Sequence, residues 1–264
     1  MDPFLLKLIL SFFVGGLWIT LATILAEKAG TKLGGVIGGL PSTSLISFFF
    51  IGWTQSTLIA SQATSILPIM MGVSALFVVI YILLSKINFY LAIISALMFW
   101  FLCSLGLILL KFSNFIISLV VYVILIIISY YILEKKSTII SEGKKTIKYT
   151  FQKLLFRGIL SGSIIALAVY MAKISGPLMG GALAAFPAVY TSTIIITHLV
   201  HGKTFTSAIM KVMVFSGSTT CVIFAIAVRY SYLYLGLIYG TIFSFIVALV
   251  AGGLIYQFAK RKIL

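Results

Sequence analysis

Acidic residues are nearly missing from this chain: Asp2, Glu27, Glu134 and Glu142 are the full complement in 264 residues. A soluble surface of this size mixes both charge signs to keep its apolar patches apart, so the shortage excludes a soluble globular domain. It also removes most acid–base chemistry. There is no carboxylate pair, no Cys–His or Ser–His–acid grouping, and no phosphate-cradling glycine loop ahead of Lys-Ser or Lys-Thr. No enzymatic activity is expected. Cysteine is just as scarce, and Cys103 and Cys221 both fall in apolar runs, as small buried residues do. His198 and His201 stand one turn apart without a third ligand or an acid, so they read as an interfacial pair; neither a metal nor a cofactor is expected.

What the chain does have is apolar sequence. It is 62% hydrophobic and 9% charged, with a mean hydropathy of +1.24. Many runs exceed the ~18 residues that mark a transmembrane helix. The net charge of +15 sits in short segments between apolar runs, which points to membrane orientation and away from nucleic acid. The first run is too long for a signal-peptide core and no cleavage site follows it, so it counts as a span.

Nine spans are expected, at about 4–26, 33–55, 57–84, 89–110, 115–133, 154–172, 178–199, 205–228 and 232–258, with Pro68 bending the third. Nine crossings put Lys7, Lys111, Lys173 and Arg229 on one side and the other fifteen of the nineteen basic residues on the opposite side. Cytoplasmic loops carry the excess of Lys and Arg, so the amino terminus is expected outside and the carboxyl terminus inside a cell membrane. Merging or splitting a span would spoil this segregation. Tyr130, Tyr131, Tyr230, Tyr232, Tyr234 and Tyr256 suit interfacial belts.

The chain also contains one stretch twice. GTKLGGVIGGLPSTSLIS from Gly30 and GPLMGGALAAFPAVYTST from Gly176 superpose under a gapless shift of 146, which also pairs Lys7 with Lys153, Gly16 with Gly162 and Glu27 with Lys173. Shared charge, double glycine and proline mark an internal duplication. Spans one to four then match spans six to nine. The unmatched fifth inverts the second copy, a recurring plan of secondary transporters. The expected architecture is an all-α polytopic membrane protein: two inverted four-helix repeats, 1–111 and 153–264, joined by a linker span and cytoplasmic loop, 112–152. The fifth span is almost wholly Ile, Leu, Val and aromatic, and is expected to face its partners with nothing polar.

Within each copy, Gly34, Gly35 and Gly38, or Gly180 and Gly181, give small-residue seams that let helices pack closely. Pro41 and Pro187 lie roughly 12 Å into their spans at 1.5 Å per residue, one from each face. Each should leave the carbonyl four residues back, Ile37 or Leu183, unpaired. Hydroxyls follow at once: Ser42, Thr43 and Ser44 in one copy, Tyr190, Thr191, Ser192 and Thr193 in the other. Helices restarting there would aim N–H groups and hydroxyls at the midplane, as a site for a polar or anionic group. Alternatively the hydroxyls bond back to their own helices and only ease the kinks.

Glu27 is the one carboxylate bordering the membrane core, with Lys173 as its counterpart, so these two are the candidates for a coupling or charge role. The resulting expectation is a gradient-driven transporter or exporter of a small polar solute, its partners being the bilayer and that solute. A homo-oligomer is compatible with it. The rivals are a non-transporting scaffold or assembly subunit, or a pore using the cluster Ser216 to Thr220.

The run AEKAGTKLGGVIGGLPSTSLISFFF, Ala26 to Phe50, resembles the first two spans of small four-span GlpM-like prokaryotic membrane proteins, and MAKISGPLMGGALAAFPAVYTSTIIITH resembles the same pattern. The resemblance implies a fused pair of such units. It carries no established activity, only an association with alginate production and hence with export. Lys173 in place of an acidic residue implies that the halves have diverged.

Overall fold

The computed structural model describes residues 2–29, 31–136 and 150–261, and every regular element among them is a helix. Helix α1 (Pro3–Lys28) is followed by a short α2 (Thr31–Gly38), a break at Pro41, and α3 (Ser42–Thr54). Next come α4 (Thr57–Ala63), one 3-10 turn (Thr64–Ile66) and α5 (Leu67–Leu84), then α6 (Phe89–Leu109) and α7 (Phe115–Lys136). The remainder is α8 (Phe151–Ser175), α9 (Pro177–Ala184), α10 (Ala188–Tyr234) and α11 (Gly236–Arg261). Their starts follow local chemistry. Ser56 Oγ accepts the Ile59 N–H, Asn88 Oδ1 accepts the Leu91 N–H, and Pro68 sits in the first turn of α5, where its missing N–H costs nothing.

Among the described residues, eight helical stretches are long and apolar enough to cross a membrane, so this is a multi-pass membrane protein. The expected count of nine differs because one stretch, Pro177–Tyr234, runs for 58 residues. It is interrupted at Pro187 and again at Gly202, whose φ of 77° and ψ of −179° no helix contains. Only glycine holds that conformation without strain.

Helices α3, α5 and α10 form the interior, around Phe48, Phe77, Phe205 and Phe224. Helices α1, α6, α7, α8 and α11 surround them and turn Phe13, Leu17, Leu109, Ile116 and Tyr239 outward, as lipid contact requires. Helices α1 and α8 pack side by side. A Cβ on Gly16 would meet the Gly158 carbonyl, and one on Gly162 the Phe12 carbonyl; the second contact is the first one shifted by 146. As one sequence number rises the other falls, so the two helices run antiparallel. Lys173 Nζ accordingly lies 3.6 Å from the Phe4 ring, at the far end of α1 from position 27. No Glu27–Lys173 pair can form across that length. The Glu27 side chain itself is outside the described residues.

Helix α7 is not the inert linker its composition implies. Ser118 Oγ accepts the buried Ile69 N–H at the head of α5. Tyr122 Oη hydrogen-bonds Thr219 Oγ1 at 3.1 Å, and Glu134 Oε2 takes Lys211 Nζ at 2.7 Å. Two basic residues that the charge count placed with the inner side are buried within helices: Lys211 is 7% exposed in α10 and Arg157 is fully buried in α8. Tyr232 is no belt residue either, being buried with its hydroxyl 2.8 Å from Thr241 Oγ1. His198 likewise turns inward, with Nδ1 2.7 Å from Tyr81 Oη and its ring against Phe89.

Candidate functional site

The chain breaks twice in the same way. Pro41 has φ −73° and ψ 47°, Pro187 φ −77° and ψ 53°, and the residue after each donates its N–H to the residue before: Ser42 to Leu40 at 2.7 Å, Ala188 to Phe186 at 2.8 Å. Each is an inverse γ-turn. A new helix starts at once, since Leu45 donates to Pro41 and Thr191 to Pro187.

The carbonyls of Ile37 and Leu183 are not left unpaired. Each accepts one residue early, from Leu40 at 3.1 Å and Phe186 at 3.0 Å, because the last turn tightens to i→i+3 before the proline. Partners from across the interface cap two more carbonyls: Thr220 Oγ1 donates to Gly39 at 2.7 Å, and Ser44 Oγ to Ala184 at 3.1 Å.

The two breaks meet. Between them lies a cavity of about 40 Å³, bordered by Pro41, Ser42, Thr43 and Ser44 from one and Pro187 and Tyr190 from the other. That volume holds about three waters, at ~10–15 Å³ each. Thr191 and Ser192 do not border it: Thr191 Oγ1 is buried without a hydrogen-bond partner, and Ser192 Oγ donates back to Val189. Tyr190 Oη donates to Met213. Among the described residues, no Lys, Arg, His, Asp or Glu lines the cavity.

Glycines set how tightly the breaks are held. Gly34 packs on the Ala26 carbonyl and Gly180 on Ala172, again the same contact shifted by 146. Gly181 abuts the Ala63 carbonyl, and a Cβ on Gly38 would come 2.9 Å from Met213 Cε. Gly35 falls outside the residues whose surroundings are described. The cluster Ser216 to Thr220 belongs to this packing: Ser218 Oγ bonds the Val214 carbonyl, and Gly217 lies against Gly39.

A family described as "Protein of unknown function (DUF3147)" matches the chain twice, over residues 8–124 and 154–261. The chain belongs to this family. The two matches start 146 residues apart, the same offset that superposes the proline breaks, so the chain carries the DUF3147 unit in duplicate. No curated protein and no solved structure matches it.

The sequence reading missed much of the cavity wall, including Met71, Ser74, Phe186 and Cys221. A signal for one existed. The shift pairs Ser74 with Thr220, so both copies place a hydroxyl on the helix that backs the break. Ser74 Oγ accepts the Trp100 Nε1–H at 3.1 Å, and the Trp100 ring meets Phe186 edge-on at 5.1 Å.

Proposed function

We propose that this DUF3147 protein is a secondary, gradient-driven transporter or exporter of a small polar or anionic solute in the cell membrane, bound between the breaks at Pro41 and Pro187. The observation that carries this reading is the meeting of two equivalent helix breaks at one internal cavity. In lipid, a broken backbone persists only where it is buried in protein or lines a wet cavity, and paired broken helices form the midplane sites of many transporters. The reading includes nine spans, counting the stretch on either side of Gly202 as two, and two repeats inverted in the membrane. The antiparallel run of α1 beside its counterpart α8 supports the inversion. The resemblance to four-span GlpM-like proteins fits each half. The repeats would be 1–111 and 153–264, with the amino terminus outside and the carboxyl terminus inside.

Uptake into proteoliposomes, with and without a pH or sodium gradient, tests it. The pair Ser42→Ala with Thr43→Val, both at residues that border the cavity, should keep near-normal thermal stability and lose uptake. Equal loss of stability and uptake would mean these residues only pack. If uptake is proton-driven, Glu27→Gln should abolish its pH dependence, because Glu27 borders the membrane core in α1 while Glu134 is held in an ion pair by Lys211. The tight Gly39–Gly217 contact would equally suit a non-transporting scaffold, and a wild-type protein that moves no solute under either gradient would establish that alternative.

A further inference from the structure

We infer that the cavity between the two breaks binds one small uncharged solute that both donates and accepts hydrogen bonds, in the class of primary amides and diols. This deepens the transport reading, and rests on it only for the consequence that the bound solute is moved.

The starting point is the balance of helix ends. A helix directs carbonyls out of its carboxyl end and N–H groups out of its amino end, and these end groups have no partner within the helix. Each break sets one end of each kind against the cavity. Around Pro41, α2 ends and α3 begins; around Pro187, α9 ends and α10 begins. A helix end is equivalent to about half a charge, positive at its start and negative at its finish. Two starts and two finishes sum to about zero. No Lys, Arg, His, Asp or Glu among the described residues lines the cavity to disturb that balance. An ion of either sign would therefore enter a low-dielectric interior without a net countercharge.

The individual groups define what the occupant must offer. Among the described residues, the carbonyls of Gly38 and Ala185 accept nothing, and the N–H groups of Thr43, Ser44, Val189 and Tyr190 donate to nothing. All six residues border the cavity. Both kinds of group are left over for a traceable reason. Hydroxyls from across the interface cap one carbonyl in each copy, Thr220 at Gly39 and Ser44 at Ala184. The shift of 146 pairs Gly39 with Ala185 and Gly38 with Ala184, so the caps fall on non-equivalent carbonyls and leave one acceptor open in each copy. Ser42 and Thr43 border the cavity as well, and a hydroxyl can serve either as donor or as acceptor. An occupant with acceptors alone would strand the two carbonyls, and one with donors alone would strand the amides. Either loss is costly in a buried site.

Volume sets the size. The cavity of about 40 Å³ takes about three waters, and their share of liquid volume is ~30 Å³ each, so a solute that replaces them occupies roughly 90 Å³. Acetamide and ethylene glycol fit that limit. A sugar does not.

Acetate, acetamide and acetamidinium share one planar shape and differ in charge at neutral pH, which makes them the probes. In detergent at constant ionic strength, acetamide should raise the thermal unfolding midpoint in a saturable way, and sodium acetate and acetamidinium chloride should not. Ser42→Ala with Thr43→Val, which removes two adaptable hydroxyls at nearly constant volume, should weaken the acetamide effect at least tenfold. An equal rise with acetate or acetamidinium, no saturable rise with acetamide, or an unchanged rise in the variant would each overturn the proposal. If the variant does not fold, selenourea soaked into crystals of the wild-type protein decides the matter, being another uncharged planar donor and acceptor. A selenium anomalous peak must lie between Pro41 and Pro187, and its absence there refutes the site. Saturable acetamide binding without acetamide flux into proteoliposomes would reject transport while leaving the site. Gradient-driven uptake of an anion without acetamide binding would reject the site while leaving transport.

Discussion

Gly39 and Gly217 meet backbone to backbone beside the cavity: a Cβ added to Gly39 would lie 2.7 Å from the Gly217 nitrogen, and one added to Gly217 would lie 2.9 Å from the Gly39 Cα. Neither backbone can yield alone, because the Gly39 carbonyl is also held by Thr220. Gly39→Ala should therefore destabilise the protein by about 1–3 kcal/mol, the usual cost of overpacking. Gly253→Ala is the control. Gly253 has open space around its missing side chain, and an alanine there should be neutral or stabilising by about 0.5–1 kcal/mol. Equal melting points for the two variants would show that the seam has slack.

The pair Lys211–Glu134 predicts an asymmetric mutational effect. Lys211 is 8% exposed at its side chain and Glu134 50%. Glu134→Gln leaves a buried ammonium without its counter-charge, a loss of about 1–3 kcal/mol. Lys211→Met leaves a half-exposed carboxylate that water can solvate, and should cost less. Melting curves of both single variants and the double variant would measure the coupling, and equal single costs would contradict the burial difference.

Helix α7 should matter to stability through one hydroxyl. Ser118→Ala removes the acceptor of the buried Ile69 N–H at the start of α5, so about 1–2 kcal/mol should be lost. Ser113→Ala, on the connection ahead of α7, should have no measurable effect. A silent Ser118→Ala would return α7 to the status of a passive tether.

Orientation is open to direct measurement. With Cys103 and Cys221 replaced, a cysteine at position 111 should react with an impermeant reagent in intact cells, and one at position 86 should not; these positions flank the single helix α6. Labelling at 86, or at 140, would reverse or abolish the arrangement inferred from the basic residues.

The membrane class, the duplication and the two proline breaks were legible in the sequence, because each depends on local chemistry. Apolar length decides whether a helix can cross a bilayer. A proline stops the helix ladder wherever it stands, so Pro41 and Pro187 produced matching γ-turns in both copies. The identity of residues 30, 34, 41 and their counterparts was enough to find the offset of 146.

Tertiary structure alone decided which polar groups are spent and which are left over. Composition gave Ser42, Ser44, Thr191 and Ser192 the same standing, yet Ser44 caps Ala184 across the interface, Ser192 turns back on its own helix, Thr191 misses the cavity and Ser42 borders it. A hydroxyl's role depends on the acceptor opposite it, and that acceptor belongs to a segment some 140 residues away. The same holds for Lys211, which sequence counts only among the cations of one membrane side until Glu134 of α7 is placed beside it. Sequence determines where each helix can start and stop. Only packing determines which of its exposed ends finds a partner, since one partner removes a desolvation cost that no local feature records.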